Sequence, residues 1–127
     1  MTEVDLGPRY RWLATTAFVA ACALNLYALY APRVAGPGGV PGLDKLVHIA
    51  VFALVMATGV LAGISTRLLL TLLLLQTAAS ELGQHLLLPE RTGDPWDALA
   101  DLVGIGLGWL TGSAALRLLA RWRTRSP

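Results

Sequence analysis

Four long apolar runs, at about 12–31, 46–63, 68–88 and 98–120, constrain this chain more than any motif in it. Each is close to the roughly 20 residues a helix needs to span a hydrocarbon core. All seven prolines fall outside the runs. Proline costs about 3 kcal/mol or more in a helix interior, so its placement supports the boundaries independently of hydropathy. In lipid every backbone polar group must be satisfied within its own segment, which makes the runs helices. The expected fold is an all-α integral membrane protein: a single domain over 1–127, a bundle of four transmembrane helices.

Composition agrees. Only 14% of the 127 residues are charged and the mean hydropathy is +0.60, whereas a soluble domain carries about a quarter charged residues. No separate soluble domain fits, so function must be built from helix ends and outer loops. The first run has small residues, Ala28 and Ala31, ahead of Pro32. It is nonetheless longer than a signal-peptide core of about 7–15 residues and is read as a retained helix. The Gly/Pro-rich stretch 32–42 reads as a flexible loop. The 63–67 connection is so short that the second and third helices must be antiparallel neighbours. The sole cysteine, Cys22, has no intrachain partner and reads as packing.

Charge orients the bundle. With both termini cytoplasmic, the inner side collects Arg9, Arg11, Arg67, Arg117, Arg121, Arg123 and Arg125, leaving Arg33, Lys45 and Arg91 outside. Excess Lys/Arg marks the cytoplasmic face, so this orientation is selected. Tyr10, Trp12 and Trp122 then lie at one interface and Tyr27, Tyr30 and Trp96 at the other. The basic end from Arg117 to Arg125 reads as a topology determinant and lipid-headgroup contact, and poorly as a nucleic-acid surface. The expected location is a bacterial cell membrane, crossed several times.

Under that orientation Asp44, Lys45, His48, Glu81, Gln84, His85, Arg91, Asp97 and Asp101 all fall on the extracytoplasmic side. Ionisable groups at such depths are expensive, and they normally face a bundle interior or a water-filled cavity. Asp44 and His48 are one turn apart on the second helix. Thr77, Glu81 and Gln84 share a face of the third. Asp97, Asp101, Gly104, Gly108 and Gly112 lie along one face of the fourth. Glycines at that spacing let helices approach closely, within the chain or between copies, so oligomerisation through the stripe is open.

Blander roles exist for several of these groups. Asp97 follows Pro95 and could cap the fourth helix. Arg91 could snorkel or pair with Glu90, and Lys45 could be an interfacial anchor. Glu81 and Asp101 sit about one to two turns inside their runs; they either pair with Lys45 or Arg91 or line a functional pocket. Asp44/His48 and Glu81/His85 are carboxylate–His pairs at i, i+4, but no His-Glu-x-x-His or Cys-x-x-Cys accompanies them. No metal site and no cofactor is expected. Ser80 abuts Glu81 without the Gly-x-Ser-x-Gly elbow of a nucleophile.

Over about 44–112 the residues resemble the VanZ-like family of small bacterial membrane proteins. Asp44-Lys45-x-x-His48 resembles its D-K-x-x-H at the head of a helix. Glu81-x-x-Gln84, Pro89-x-Arg91 and Asp97-x-x-x-Asp101-x-x-Gly104 resemble its D-E-x-x-Q, P-x-R and D-x-x-x-N-x-x-G, in order and spacing. Ser80 stands where the family has the first acidic residue of D-E, Gly83 where a His is common, and Asp101 where Asn is usual. The family's namesake is associated with resistance to the glycopeptide teicoplanin. The resemblance therefore implies a cell-envelope role, with glycopeptide tolerance as one case.

The leading expectation is an accessory or binding module. Its outer pocket of Asp44, Lys45, His48, Glu81, Gln84, Arg91, Asp97 and Asp101 would recognise an envelope lipid, a glycopeptide or a partner membrane protein. The alternative is an envelope lipid- or glycan-modifying enzyme with Glu81 or Asp101 as general base and His48 as acid or shuttle. A proton- or solute-translocating unit is the third reading. Against it, Thr58, Thr71 and Thr111 are too sparse to continue a polar path inward.

Overall fold

The computed structural model describes residues 7–31, 41–87 and 95–125, and within them all side chains but those of 84, 85, 87, 124 and 125. These residues form four helices: α1 (Pro8–Tyr30), α2 (Leu43–Leu61), α3 (Thr66–Leu87) and α4 (Pro95–Arg125). Most of the expected flexible loop and all of the 88–94 segment, with Arg91, lie outside the described residues. Each helix begins before its apolar run. Pro8 and Pro95 start α1 and α4, because a missing N–H costs nothing at the first helical position. Arg9, Arg11, Asp44, Lys45 and Asp97 fill the opening turns, where hydropathy sees no helix. At 1.5 Å per residue α4 is about 46 Å long, well beyond a hydrocarbon core of roughly 30 Å.

The α2–α3 turn is closed by local chemistry. The Ile64 N–H reaches the Gly59 carbonyl (3.0 Å) and the Gly63 N–H that of Val60 (3.1 Å). This is a Schellman closure, and it places Gly63 at φ 80°, a left-handed conformation that only glycine adopts cheaply. Ile64 packs back on the core, and the Ser65 hydroxyl accepts from the Leu68 N–H (3.2 Å), capping α3. The antiparallel α2–α3 neighbours expected from the short connection are thereby built.

The heart of the bundle is the face shared by α2 and α4, the most extensive contact in the molecule. A Cβ on Gly104 would lie 2.5 Å from the Ile49 carbonyl oxygen, and one on Gly112 would lie 2.9 Å from Ala57. One on Gly108 would collide with the Ala53 carbonyl oxygen. Both helices advance four residues at each step, so they run parallel in fixed register. Both begin at the same end of the bundle. The glycine stripe thus has its partner inside the chain. On its other side α2 presents Gly59, whose Cβ would crowd Leu69 of α3 and Phe18 of α1. Phe52, Met56, Leu69, Leu73 and Ile105 fill the remaining interior.

Polarity is inverted relative to a soluble fold. Leu13, Val19, Leu72, Leu75, Leu102 and Leu110 are exposed, while Asn25, His48, Asp97 and Asp101 are buried. Such an apolar exterior suits hydrocarbon, not water. Among the described residues α1, α2 and α4 (over Pro95–Arg123) are long and apolar enough to cross a membrane, which marks a multi-pass membrane protein. The third expected span folds as α3, with Arg67, Gln76, Ser80 and Glu81 among its leucines.

The stripe yields a paired prediction. Gly108→Ala must push α4 away from the Ala53 carbonyl and should lose about 1–3 kcal/mol, the usual cost of overpacking. Gly106 has open space beside it. Gly106→Ala should be neutral or gain up to about 1 kcal/mol of helix propensity. Unfolding titrations of both variants in detergent would check this, and equal losses would refute the packing assignment.

Candidate functional site

Because α2 and α4 start together, their positive dipole ends lie side by side, and each opens with a carboxylate in its first turn, Asp44 and Asp97. Lys45 stands between them. Its ammonium donates to Asp44 Oδ2 at 2.8 Å and to Asp97 Oδ1 at 2.6 Å. One turn deeper, His48 Nδ1 meets Asp101 Oδ1 at 2.7 Å, with His48 Nε2 4.0 Å from Asp97 Oδ2. An ionised carboxylate only accepts, so in the pair of an imidazole with an ionised Asp101 it is Nδ1–H that donates. The side chains of Asp44 and Lys45 are 31% and 28% exposed, those of Asp97, His48 and Asp101 9%, 5% and 0%. The group therefore runs from a wet mouth to a dry floor.

Asp97 is not the helix cap. It sits inside the first turn of α4, and its carboxylate is taken up by Lys45 across the helix interface. Nor is Lys45 a simple anchor, since it ties two helices together. The hydrogen-bond partners of Asp97 and Asp101 come from α2, two helices back in the chain. Glu81 is half-buried on α3, and the Gln84 side chain and Arg91 lie outside the described residues. Ser80 is buried and its hydroxyl donates to the Thr77 carbonyl at 2.9 Å. Among the described residues no three His, Cys, Asp or Glu side chains are grouped to hold a metal.

A second polar contact was not anticipated. Asn25 of α1 is buried, and its Oδ1 accepts from Gln76 Nε2 of α3. The signal was present: Asn25 is the sole asparagine of the chain and stands within the first apolar run. Polar amides in such positions join helices in membranes. The buried polar atoms without a hydrogen-bond partner among the described residues include Asn25 Nδ2, Thr77 Oγ1 and Asp101 Oδ2. These three belong to three different helices. Buried polar atoms are costly unless something satisfies them.

Comparison with protein-family models, with curated proteins and with solved structures finds no match to this chain. The site is therefore read from its own geometry. Taken alone, the arrangement can hold two helices in register and orient an imidazole. It also leaves one oxygen of the buried Asp101 carboxylate without a hydrogen bond among the described residues.

The amide pair makes a sharp prediction. Asn25→Leu or Gln76→Leu alone strands the other amide and should cost about 1–3 kcal/mol. The double variant should recover much of that loss, because replacing both partners by apolar groups is close to neutral. A double-mutant cycle on detergent unfolding measures the coupling, and strictly additive losses would mean that the two amides do not interact.

Proposed function

We propose that this chain is a VanZ-like accessory or binding protein of the bacterial cell envelope, whose polar pocket takes up an extracytoplasmic ligand. The observation that carries this reading is the hydrogen-bonded set of the part-buried Lys45–Asp97 pair and the buried His48–Asp101 pair. Charges are expensive within a membrane protein. Apolar replacement of a buried ion pair is often neutral or stabilising, so stability is a weak reason to keep one. The residues that meet are those of two motifs in the VanZ resemblance, Asp44-Lys45-x-x-His48 and Asp97-x-x-x-Asp101. The arginine-rich end of the bundle, opposite the pocket, supports cytoplasmic termini and a pocket facing out. In this reading α3 is the fourth span, with Leu69, Leu73, Thr77 and Ser80 turned inward and Leu72 and Leu75 toward lipid.

An enzymatic reading is the second. A carboxylate on Nδ1 holds an imidazole in one tautomer and orientation, as a general base requires. His48 and Asp101 have that arrangement. Translocation is disfavoured by the interior beyond His48, where Phe52, Val55, Met56 and Val60 are buried.

The test compares wild type with His48→Ala, Lys45→Met and Glu81→Gln in bacterial cells. Folded yield is read by detergent gel filtration, and survival is read against cell-wall antibiotics that include glycopeptides. The binding reading expects lost protection at wild-type yield for at least one variant. Collapsed yield for all three, at the roughly 3–5 kcal/mol that breaking a buried pair costs, would make the cluster a structural clamp. A product that accumulates with wild type and disappears with His48→Ala would select the enzyme.

A further inference from the structure

We infer that the group this pocket recognises is a primary ammonium, taken at Asp101 Oδ2, and not a phosphate taken at Lys45. The inference rests on the binding reading above and names the ligand chemistry of the same site.

Charge argues first. Among the described residues the hydrogen-bonded set contains three carboxylates, Asp44, Asp97 and Asp101, against one lysine and one histidine. An anionic headgroup would find three carboxylates beside the one described lysine. It would also have to displace carboxylates already 2.8 and 2.6 Å from the Lys45 ammonium.

Asp101 argues second, and independently. Its side chain is fully buried, Oδ1 is bound to His48, and Oδ2 has no hydrogen-bond partner among the described residues. An unsatisfied carboxylate oxygen in a dry site calls for a donor, ideally a charged one.

The geometry also selects among cations. A guanidinium is best held by two oxygens of one carboxylate, and His48 already occupies one of them. A metal ion needs several convergent ligands, and no such group exists among the described residues. A primary ammonium is compact, carries three N–H donors and can be held by a single oxygen. The carboxylates at the mouth would draw such a cation inward past Asp44 and Asp97.

The experiment uses the full chain in nanodiscs of zwitterionic lipid. Three amphiphiles of equal chain length serve as probes: n-dodecylammonium, n-dodecyltrimethylammonium and n-dodecyl phosphate. Titration calorimetry reads affinity, and the ring-nitrogen resonances of His48 report occupancy of the site. Dodecylammonium should bind saturably and shift the His48 signals. The trimethyl probe, which has charge but no N–H, should bind about tenfold or more weakly, as loss of a charged hydrogen bond implies. Asp101→Asn should weaken dodecylammonium by a similar factor, and dodecyl phosphate should not saturate.

Equal affinity for the two cations, or a fully folded Asp101→Asn with unchanged affinity, would mean interfacial partition and overturn the inference. Saturable phosphate binding lost in Lys45→Met would overturn it while leaving the binding reading intact. No saturable probe would overturn it too, and the cell assay would then decide the binding reading separately. If Asp101→Asn does not fold, the wild-type His48 resonances decide: movement with dodecylammonium alone supports the inference, and movement with both cations or neither rejects it.

Discussion

The close approach of α2 and α4 along Gly104, Gly108 and Gly112 is the contact on which the rest of the molecule depends. Three missing side chains bring one helix surface against the backbone carbonyls of the other. In lipid no hydrophobic force drives two apolar helices together, so dense packing of this kind supplies the attraction. At the end of the same interface it sets the reach of Lys45 and His48. Moving the helices apart by the width of a methyl group would lengthen the 2.6 and 2.7 Å contacts to Asp97 and Asp101 beyond bonding distance. Buried charges would then stand alone. Packing and electrostatics are one device here: the stripe makes the pairs short, and the pairs lock the register of the stripe.

The other helices are held differently. α3 meets α2 at Gly59 and Leu69, and α1 through the Asn25–Gln76 amides. Its contacts with the neighbouring helices are light. The helix has two faces. Leu72 and Leu75 face outward while Thr77 and Ser80 are buried. A helix that lines a polar interior must give up apolarity on one side, and α3 does so in its C-terminal half.

The exposure gradient from Asp44 and Lys45 down to Asp101 gives the site a direction. Charges near the mouth are partly hydrated and cheap to keep. His48 and Asp101 lie deepest, where a hydrogen bond is strong and an unsatisfied atom such as Asp101 Oδ2 is costly. Asp101 falls at the driest point of the cluster. A carboxylate has its largest electrostatic effect there.

Much of this was legible in the residues. Run lengths and proline positions predicted four helices, and the arginines predicted a basic end opposite a polar one. Four-residue spacing placed Asp97, Asp101 and the glycines on a single face of α4. What the sequence could not decide was which neighbour that face meets. Helical periodicity defines a stripe on one helix and says nothing about its partner, and short connections constrain only consecutive helices. The 63–67 turn correctly paired α2 with α3, but the partner of α4 proved to be α2, two helices back in the chain. That choice lies in shape complementarity: glycines opposite Ala53 and Ala57 fit more closely than they could against leucine-rich α3. It turned Asp97 from an expected cap into a partner of Lys45, and made Asn25 and Gln76 a bonded pair.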